Sequence, residues 1–323
     1  MAGYARRRSW SCNTKIPAFV CFLLTQISTM GMTHTMKHFL TLSKFLLVVF
    51  LPLITGLGAG CGTITGNLAA SLSAAIGQNN DLETIRQGGP AYLIMVDAFV
   101  MDDPTNPALL TSAANLYSTY SDVFVEDTDR AIRLTDRALG YGLRAVCEKN
   151  KDLCGLDMMD FQTFDRTLKD ADLSDLSELY TLGASWAGWI KARSDSIKAL
   201  AQIPMVKGIM ERVVELDEKH QNGAAHLYLG TLAMILPQIL GGEPDVARLH
   251  FEKGVLLAGT KNSMARVLYA KNYARPMFDR DLHDRLLNEV LSRPVEPGDD
   301  SLVNTLARNE AAILLETGDD YFQ

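Results

Sequence analysis

From Asp81 onward apolar residues recur at helical spacing, and that periodicity confines the chain to an all-α fold. "AIRLTDRALGYGLRAV" sets Ile132, Leu139, Leu143 and Val146 on one face at intervals near 3.6. "PMVKGIMERVVELDEKH" starts at Pro204, a residue favoured in the first helical turn, and carries Val206, Ile209, Met210, Val213 and Leu216. "PDVARLHFEKGVLLAG" repeats the arrangement after the turn "GGEP". Strand-like alternation of apolar and polar residues is essentially absent.

These helices also resemble one another. One kind carries Leu-Gly and a further residue three on, as in Leu182-Gly183 with Trp186 and Leu229-Gly230 with Ala233. The other carries a residue, a second four on and a third three beyond: Ala131/Thr135/Ala138, Val206/Met210/Val213, Ala247/Phe251/Gly254 and Leu282/Leu286/Glu289. The pattern resembles the two helices of a tetratricopeptide repeat, where small residues let paired helices approach closely. The second helices start 75, 41 and 35 residues apart, against an ideal repeat of about 34. The expectation is about four degenerate, tetratricopeptide-like helix pairs over 81–323, forming a compact superhelical array with a continuous core.

Ahead of the helices lies "LLVVFLPLITGLGAGCGT". Its large apolar residues run only from Phe45 to Leu57 and are broken by Pro52, whereas a membrane-spanning helix needs about 20 apolar residues. Lys37 and Lys44 precede the run and Gly58-Ala59-Gly60-Cys61 follows it, the order of a cleaved signal. The cysteine after Gly-Ala-Gly resembles a bacterial lipobox, with Leu57 four rather than three positions before it. Cys61 would be acylated and become the mature N-terminus; a retained helix and plain secretion are the alternatives. Residues 1–35 read as a mis-called extension before a start at Met36, 36–60 as the lipoprotein signal peptide, and 61–80 as a flexible tether. Residues 1–60 hold six basic and no acidic side chains, so processing would leave 25 Lys and Arg against 38 Asp and Glu, a net charge of −13. So acidic a body repels nucleic acid and anionic lipid, which argues against nucleic acid as a partner and leaves the N-terminal lipid as the contact with the membrane. Cys147 and Cys154, seven apart across a polar turn, either bridge in an oxidising compartment or remain free thiols.

Five segments carry a family resemblance: "LYSTYSDVFVEDTDRAIRLTDRALGYGLRA" (116–145), "WAGWI" (186–190), "NGAAHLYLGTL" (222–232), "LGGEPDVARLHFEKGVLLAG" (240–259) and "KNSMARVLYAKNYA" (261–274). Together they resemble the T component of TRAP transporters, the TatT family, over roughly residues 60–320. That resemblance implies a periplasmic, palmitate-bearing lipoprotein and a homotrimer with a central pore. It further implies work beside a substrate-binding P subunit that delivers an organic-acid or hydrophobic ligand. Gly62 rather than Asp after the cysteine favours the outer membrane. The alternative is a lipid-anchored scaffold of tetratricopeptide-like repeats for a pilus, secretion or cell-wall complex, since repeat surfaces commonly bind peptides.

Residues for catalysis are sparse. His-Glu-x-x-His, Gly-x-Ser-x-Gly and Walker patterns are absent. "GYGLRA" satisfies a dinucleotide fingerprint formally, but it lies inside a helix with no strand before it. No enzyme activity, cofactor or metal is expected. A ligand cleft or subunit contact could use Tyr117, the pair Trp186 and Trp189, the cluster Asn222, His226 and Tyr228, or the cluster Asn262, Lys271 and Tyr273, with Lys271 or Arg275 as counter-charge to a carboxylate. Core packing is the competing reading for the tryptophans, and His220 reads as an ordinary surface or core histidine.

Overall fold

The structure, a computed structural model, describes residues 71–323 except 73, 237, 238, 240, 296, 297, 299 and 300. The expected extension, signal peptide and lipidated Cys61 lie outside the described residues, as does the tether up to residue 70. Residues 74–77 of that tether are helical, and the Gln78 N–H donates to Ala74 O at 3.0 Å.

Among the described residues every regular element is a helix. The first three are α1 (Leu82–Asp102), α2 (Pro107–Phe124) and α3 (Thr128–Lys149). After two 3₁₀ turns come α4 (Phe161–Leu168), α5 (Leu176–Lys191), the short α6 (Ile197–Leu200) and α7 (Ile203–Asp217). A turn at His220–Gly223 leads into α8 (Ala224–Ala233), followed by α9 (Pro244–Ala258) and α10 (Met264–Tyr269). The C-terminal part holds α11 (Arg280–Leu291), α12 (Ser301–Glu316) and α13 (Gly318–Tyr321). Polar caps set several starts. Asp81 accepts from the Glu83 and Thr84 amides, Asn106 precedes Pro107 and caps α2, and Asp127 caps α3 by accepting from the Arg130 amide.

Helices pack chiefly on sequence neighbours: α2 on α3, α3 on α5, α5 on α7, α8 on α9, and α11 on α12. Small residues stand at the tightest crossings. A Cβ at Gly183 would lie 2.7 Å from Met210 Cε and 2.8 Å from Ile209 Cγ2, and one at Gly254 would lie 2.5 Å from Leu227 Cδ2. At Gly230 it would sit 3.0 Å from the Phe251 ring. The periodic residues Val206, Met210, Val213, Ala247 and Phe251 are all fully buried. Leu282 and Leu286 are buried as well, whereas Glu289 instead pairs with Arg266 at 3.0 Å.

On α3 the buried face differs from the expected one. Thr135, Ala138, Tyr141, Gly142, Ala145 and Val146 are buried, while Ile132, Leu139 and Leu143 are only half-buried. The reason is steric. A Cβ at Gly142 would already stand 3.3 Å from Leu182 Cα, so the helix meets α5 through its small residues and its large ones flank the seam.

Apolar burial runs in three neighbouring clusters. The first joins α1, α2 and α3; the second gathers Phe164, Trp186, Ile209 and Met210; the third gathers Phe251, Tyr269, Tyr273 and Leu287. Asp97 holds α1 to its neighbours by accepting from the hydroxyls of Tyr117 (2.8 Å) and Tyr141 (2.6 Å) and pairing with Arg137 at 2.6 Å. Cys147 at the end of α3 is bonded to Cys154 (S–S 2.01 Å), next to buried Leu153. After α10 the backbone widens into one π turn, Ala270–Ala274, in which the Arg275 amide donates to Ala270 O at 3.0 Å.

Candidate functional site

Of the residues singled out by sequence, most are absorbed by packing. Trp186 is 1% exposed, donates its indole N–H to Gln202 Oε1 at 2.6 Å and meets Phe164 edge-on. Trp189 is only partly buried at the edge of that core: it donates to Asp136 Oδ1 at 2.8 Å and lies under the Arg193 guanidinium, 4.4 Å from the ring centre. The two tryptophans therefore do not share one exposed face. Tyr117 serves the Asp97 network, and Asn262 accepts from the Met264 amide as a local cap. Tyr273 is buried against Phe251 and Tyr269.

The cations named as counter-charges are already engaged. Lys271 pairs with Glu310 at 2.7 Å. Arg275 donates to Leu314 O at 2.5 Å and to Thr317 Oγ1 at 2.8 Å, and stacks on Tyr321.

Of the buried polar atoms without a hydrogen-bond partner among the described residues, His220 Nε2 lies where α5 meets α8, while Thr111 Oγ1, Arg212 Nε, His226 Nε2 and Arg293 Nη1 lie elsewhere. Tyr180 near the start of α5 packs edge-on against His220 (5.2 Å, 69°) and against Tyr228 of α8 (6.2 Å, 76°). The tyrosine and histidine rings make a corner of near-perpendicular walls. His220 Nε2 is buried without a hydrogen-bond partner, and neither the Tyr180 nor the Tyr228 hydroxyl has one among the described residues. Burial pushes the Tyr180 phenol up to about 12. Burial also raises the Tyr228 phenol well above its ordinary value, helped by Tyr180 and the Asp122 carboxylate. The His220 imidazole is pushed down by burial against the opposing pull of Asp217, so it is neutral at pH 7.

The connection from His220 into α8 is unusual. Gln221 (φ 49°), Asn222 (φ 56°) and Gly223 (φ 78°) are three consecutive left-handed residues. Non-glycine residues rarely adopt this conformation, and runs of such strain concentrate at functional sites. Here the turn reverses the chain tightly enough for His220 and Tyr228 to flank the same Tyr180. Sequence reasoning named Asn222 and Tyr228 but missed His220 and Tyr180. "QNG" was the available signal, since Asn and Gly tolerate the left-handed region; Tyr180 had none.

His226, the third member of the predicted cluster, faces away toward α9. It is 6% exposed, and its Nδ1 shares a 2.9 Å hydrogen bond with His250 Nδ1. Its Nε2 lies 3.9 Å from Glu218 Oε2, which is itself held by Lys253 at 3.0 Å. Burial lowers both imidazole pKa values; each histidine is further lowered by a neighbour, His226 by His250 and His250 by Lys207. A histidine depressed in the native state takes up its proton first in the unfolded chain. Its stabilising contribution is therefore complete above the ordinary value of about 6.5 and is lost as pH falls toward the native one. The urea midpoint is expected to be lower at pH 5.5 than at pH 7.5, with His250→Gln narrowing the difference. An unchanged midpoint across that interval would contradict the assignment.

Among the described residues no three His, Cys, Asp or Glu side chains are placed to hold a metal ion, and no helix is long and apolar enough to cross a membrane. No curated protein matches the chain. The sequence model of the TAtT family, described as TRAP transporter T-component, matches residues 78–322, a span that contains every helix from α1 to α13 and the whole aromatic corner. The helical fold and that match over most of the chain agree: this protein belongs to the TRAP transporter T-component family, whose members are accessory subunits of TRAP transporters.

Proposed function

We propose that the chain is a periplasmic accessory subunit of a TRAP-type uptake system, tethered by lipid on Cys61. In this reading it engages the P (substrate-binding) subunit as a homotrimer, its helix pairs acting as degenerate repeats, and takes a small organic ligand at the Tyr180–His220–Tyr228 corner. The anchor is supported by the short, proline-broken run Phe45–Leu57 followed by Gly-Ala-Gly-Cys, which is too brief to span a bilayer. Membership of the family supports the transporter setting and the partner.

One observation carries the ligand part. Native interiors leave few polar atoms without a partner, and here the buried His220 Nε2 lacks one while its ring packs on half-buried Tyr180, which in turn packs on Tyr228. The strained turn that brings them together points the same way.

Native mass spectrometry of the full-length protein, purified with its P subunit, tests the reading. The expected spectrum shows three copies of this chain, bound P subunit and a small-molecule adduct, and Cys61→Ala moves the protein from the membrane to the soluble fraction. A monomer retaining neither P subunit nor adduct would reject it.

A further inference from the structure

We propose that the corner formed by Tyr180, His220 and Tyr228 binds a quaternary ammonium group, the headgroup of a small organic cation. The inference rests on the ligand-site reading above and names the chemistry of that ligand.

Three features select the class. First, the walls are aromatic faces set nearly at right angles, 69° and 76°, around Tyr180. An alkylated ammonium group touches such walls with its methyl groups while its positive charge meets the negative faces of the rings, the arrangement by which aromatic cages recognise choline and methyl-lysine. Second, Asp122, which acts on Tyr228, is already paired with Lys191, and the charge left to act on these rings is the Asp217 carboxylate at His220. A carboxylate ligand would meet repulsion there, and a cation would meet attraction. Third, the two cations named as counter-charges to a carboxylate, and Lys191 beside Asp122, are committed elsewhere. Lys271 is held by Glu310, Arg275 by Leu314 O and Thr317, and Lys191, the cation nearest Asp122, is held by that carboxylate at 2.5 Å.

The unpaired polar atoms have a part in this arrangement. A small alkylammonium compound with a hydroxyl or ether, such as choline, would place its methyl groups in the corner and its oxygen within reach of a phenol. Tyr180 and Tyr228 stay protonated across the physiological range, because burial raises both, so they remain donors and do not become anions. His220 stays neutral and adds no positive charge to the corner.

Isothermal titration calorimetry on the full-length protein tests the proposal with three probes: choline, its uncharged carbon isostere 3,3-dimethyl-1-butanol, and benzoate. Choline should bind at least about tenfold more tightly than the isostere, since the two differ only in the charge that the rings read. Tyr228→Leu should weaken choline by about tenfold or more, and Tyr228→Phe, which keeps the ring, should stay within about threefold. Thermal unfolding of both variants separates loss of binding from loss of fold. Equal binding of choline and the isostere, preference for benzoate, or binding of none of the three overturns the ammonium assignment. The adduct in native mass spectrometry keeps the two readings apart. An adduct that Tyr228→Leu removes while choline fails to bind leaves the ligand site standing and rejects its class; a spectrum with no adduct rejects the site itself.

Discussion

Trp186→Ala is expected to lower the unfolding free energy by about 4 kcal/mol, while Trp189→Ala, three residues on in the same helix, lowers it by about 1 kcal/mol. The two side chains have the same chemistry and nearly the same address in sequence, so the contrast isolates their surroundings. Trp186 is sealed among Phe164, Ile209 and Met210 in one core cluster, and its indole N–H is satisfied by Gln202. Truncation leaves a large cavity that the rigid walls of α5 and α7 cannot close, and it strips Gln202 Oε1 of its donor. Trp189 is half-buried. Its loss forfeits one hydrogen bond and one stacked guanidinium, but Arg193 keeps its 2.5 Å pair with Asp136 and both remain reachable by water. Urea unfolding followed by circular dichroism measures both. Equal losses would mean that Trp186 is not the core residue described, and a small loss at Trp186 would restore the ligand or interface role that its sequence setting suggested.

That pair also shows where sequence reasoning stopped. Periodicity established helices, and it picked out Val206/Met210/Val213 and Ala247/Phe251 as interior because burial on an amphipathic helix follows a 3.6-residue repeat. The Leu-Gly pairs were legible for a physical reason too: a glycine inside a helix is unfavourable unless a neighbour needs the space, and Met210 and Phe251 occupy the space at Gly183 and Gly230. Periodicity misplaced the face of α3, where it weighted large residues and the seam is made of small ones. The aromatic corner was half-legible. Asn222 and Tyr228 are eight positions or fewer from His220, so local composition could suggest a groove, whereas Tyr180 is 40 residues upstream of His220 and reaches it only by the packing of α5 near α8. The direction of His226 depended on the left-handed turn. Three consecutive positive φ values rotate the start of α8, sending Tyr228 toward Tyr180 and His226 toward His250 on α9. Side-chain spacing alone carries no information on that rotation.

Gly223→Ala tests that turn directly and is expected to destabilise the protein by about 3 kcal/mol. Two effects add. An alanine held at φ 78° suffers the contact between Cβ and backbone that makes the left-handed region unfavourable, worth about 1–2 kcal/mol. The new Cβ would also stand 2.6 Å from Leu257 Cβ, an atom fixed to the backbone of α9 that cannot swing aside as a side-chain tip could. Relief requires either the turn or α9 to move. Gly140→Ala provides the opposite case. Gly140 lies inside α3 with no atom within 4 Å of its prospective Cβ, so the substitution should stabilise by about 0.5–1 kcal/mol through helix propensity and a less disordered unfolded chain. Chemical denaturation of the two variants side by side gives the signs. Choline titration of Gly223→Ala, at a temperature where it remains folded, then shows whether the turn positions the site: affinity falls if the corner depends on the turn, and stays unchanged if Tyr180 and Tyr228 are set by α5 and α8 alone.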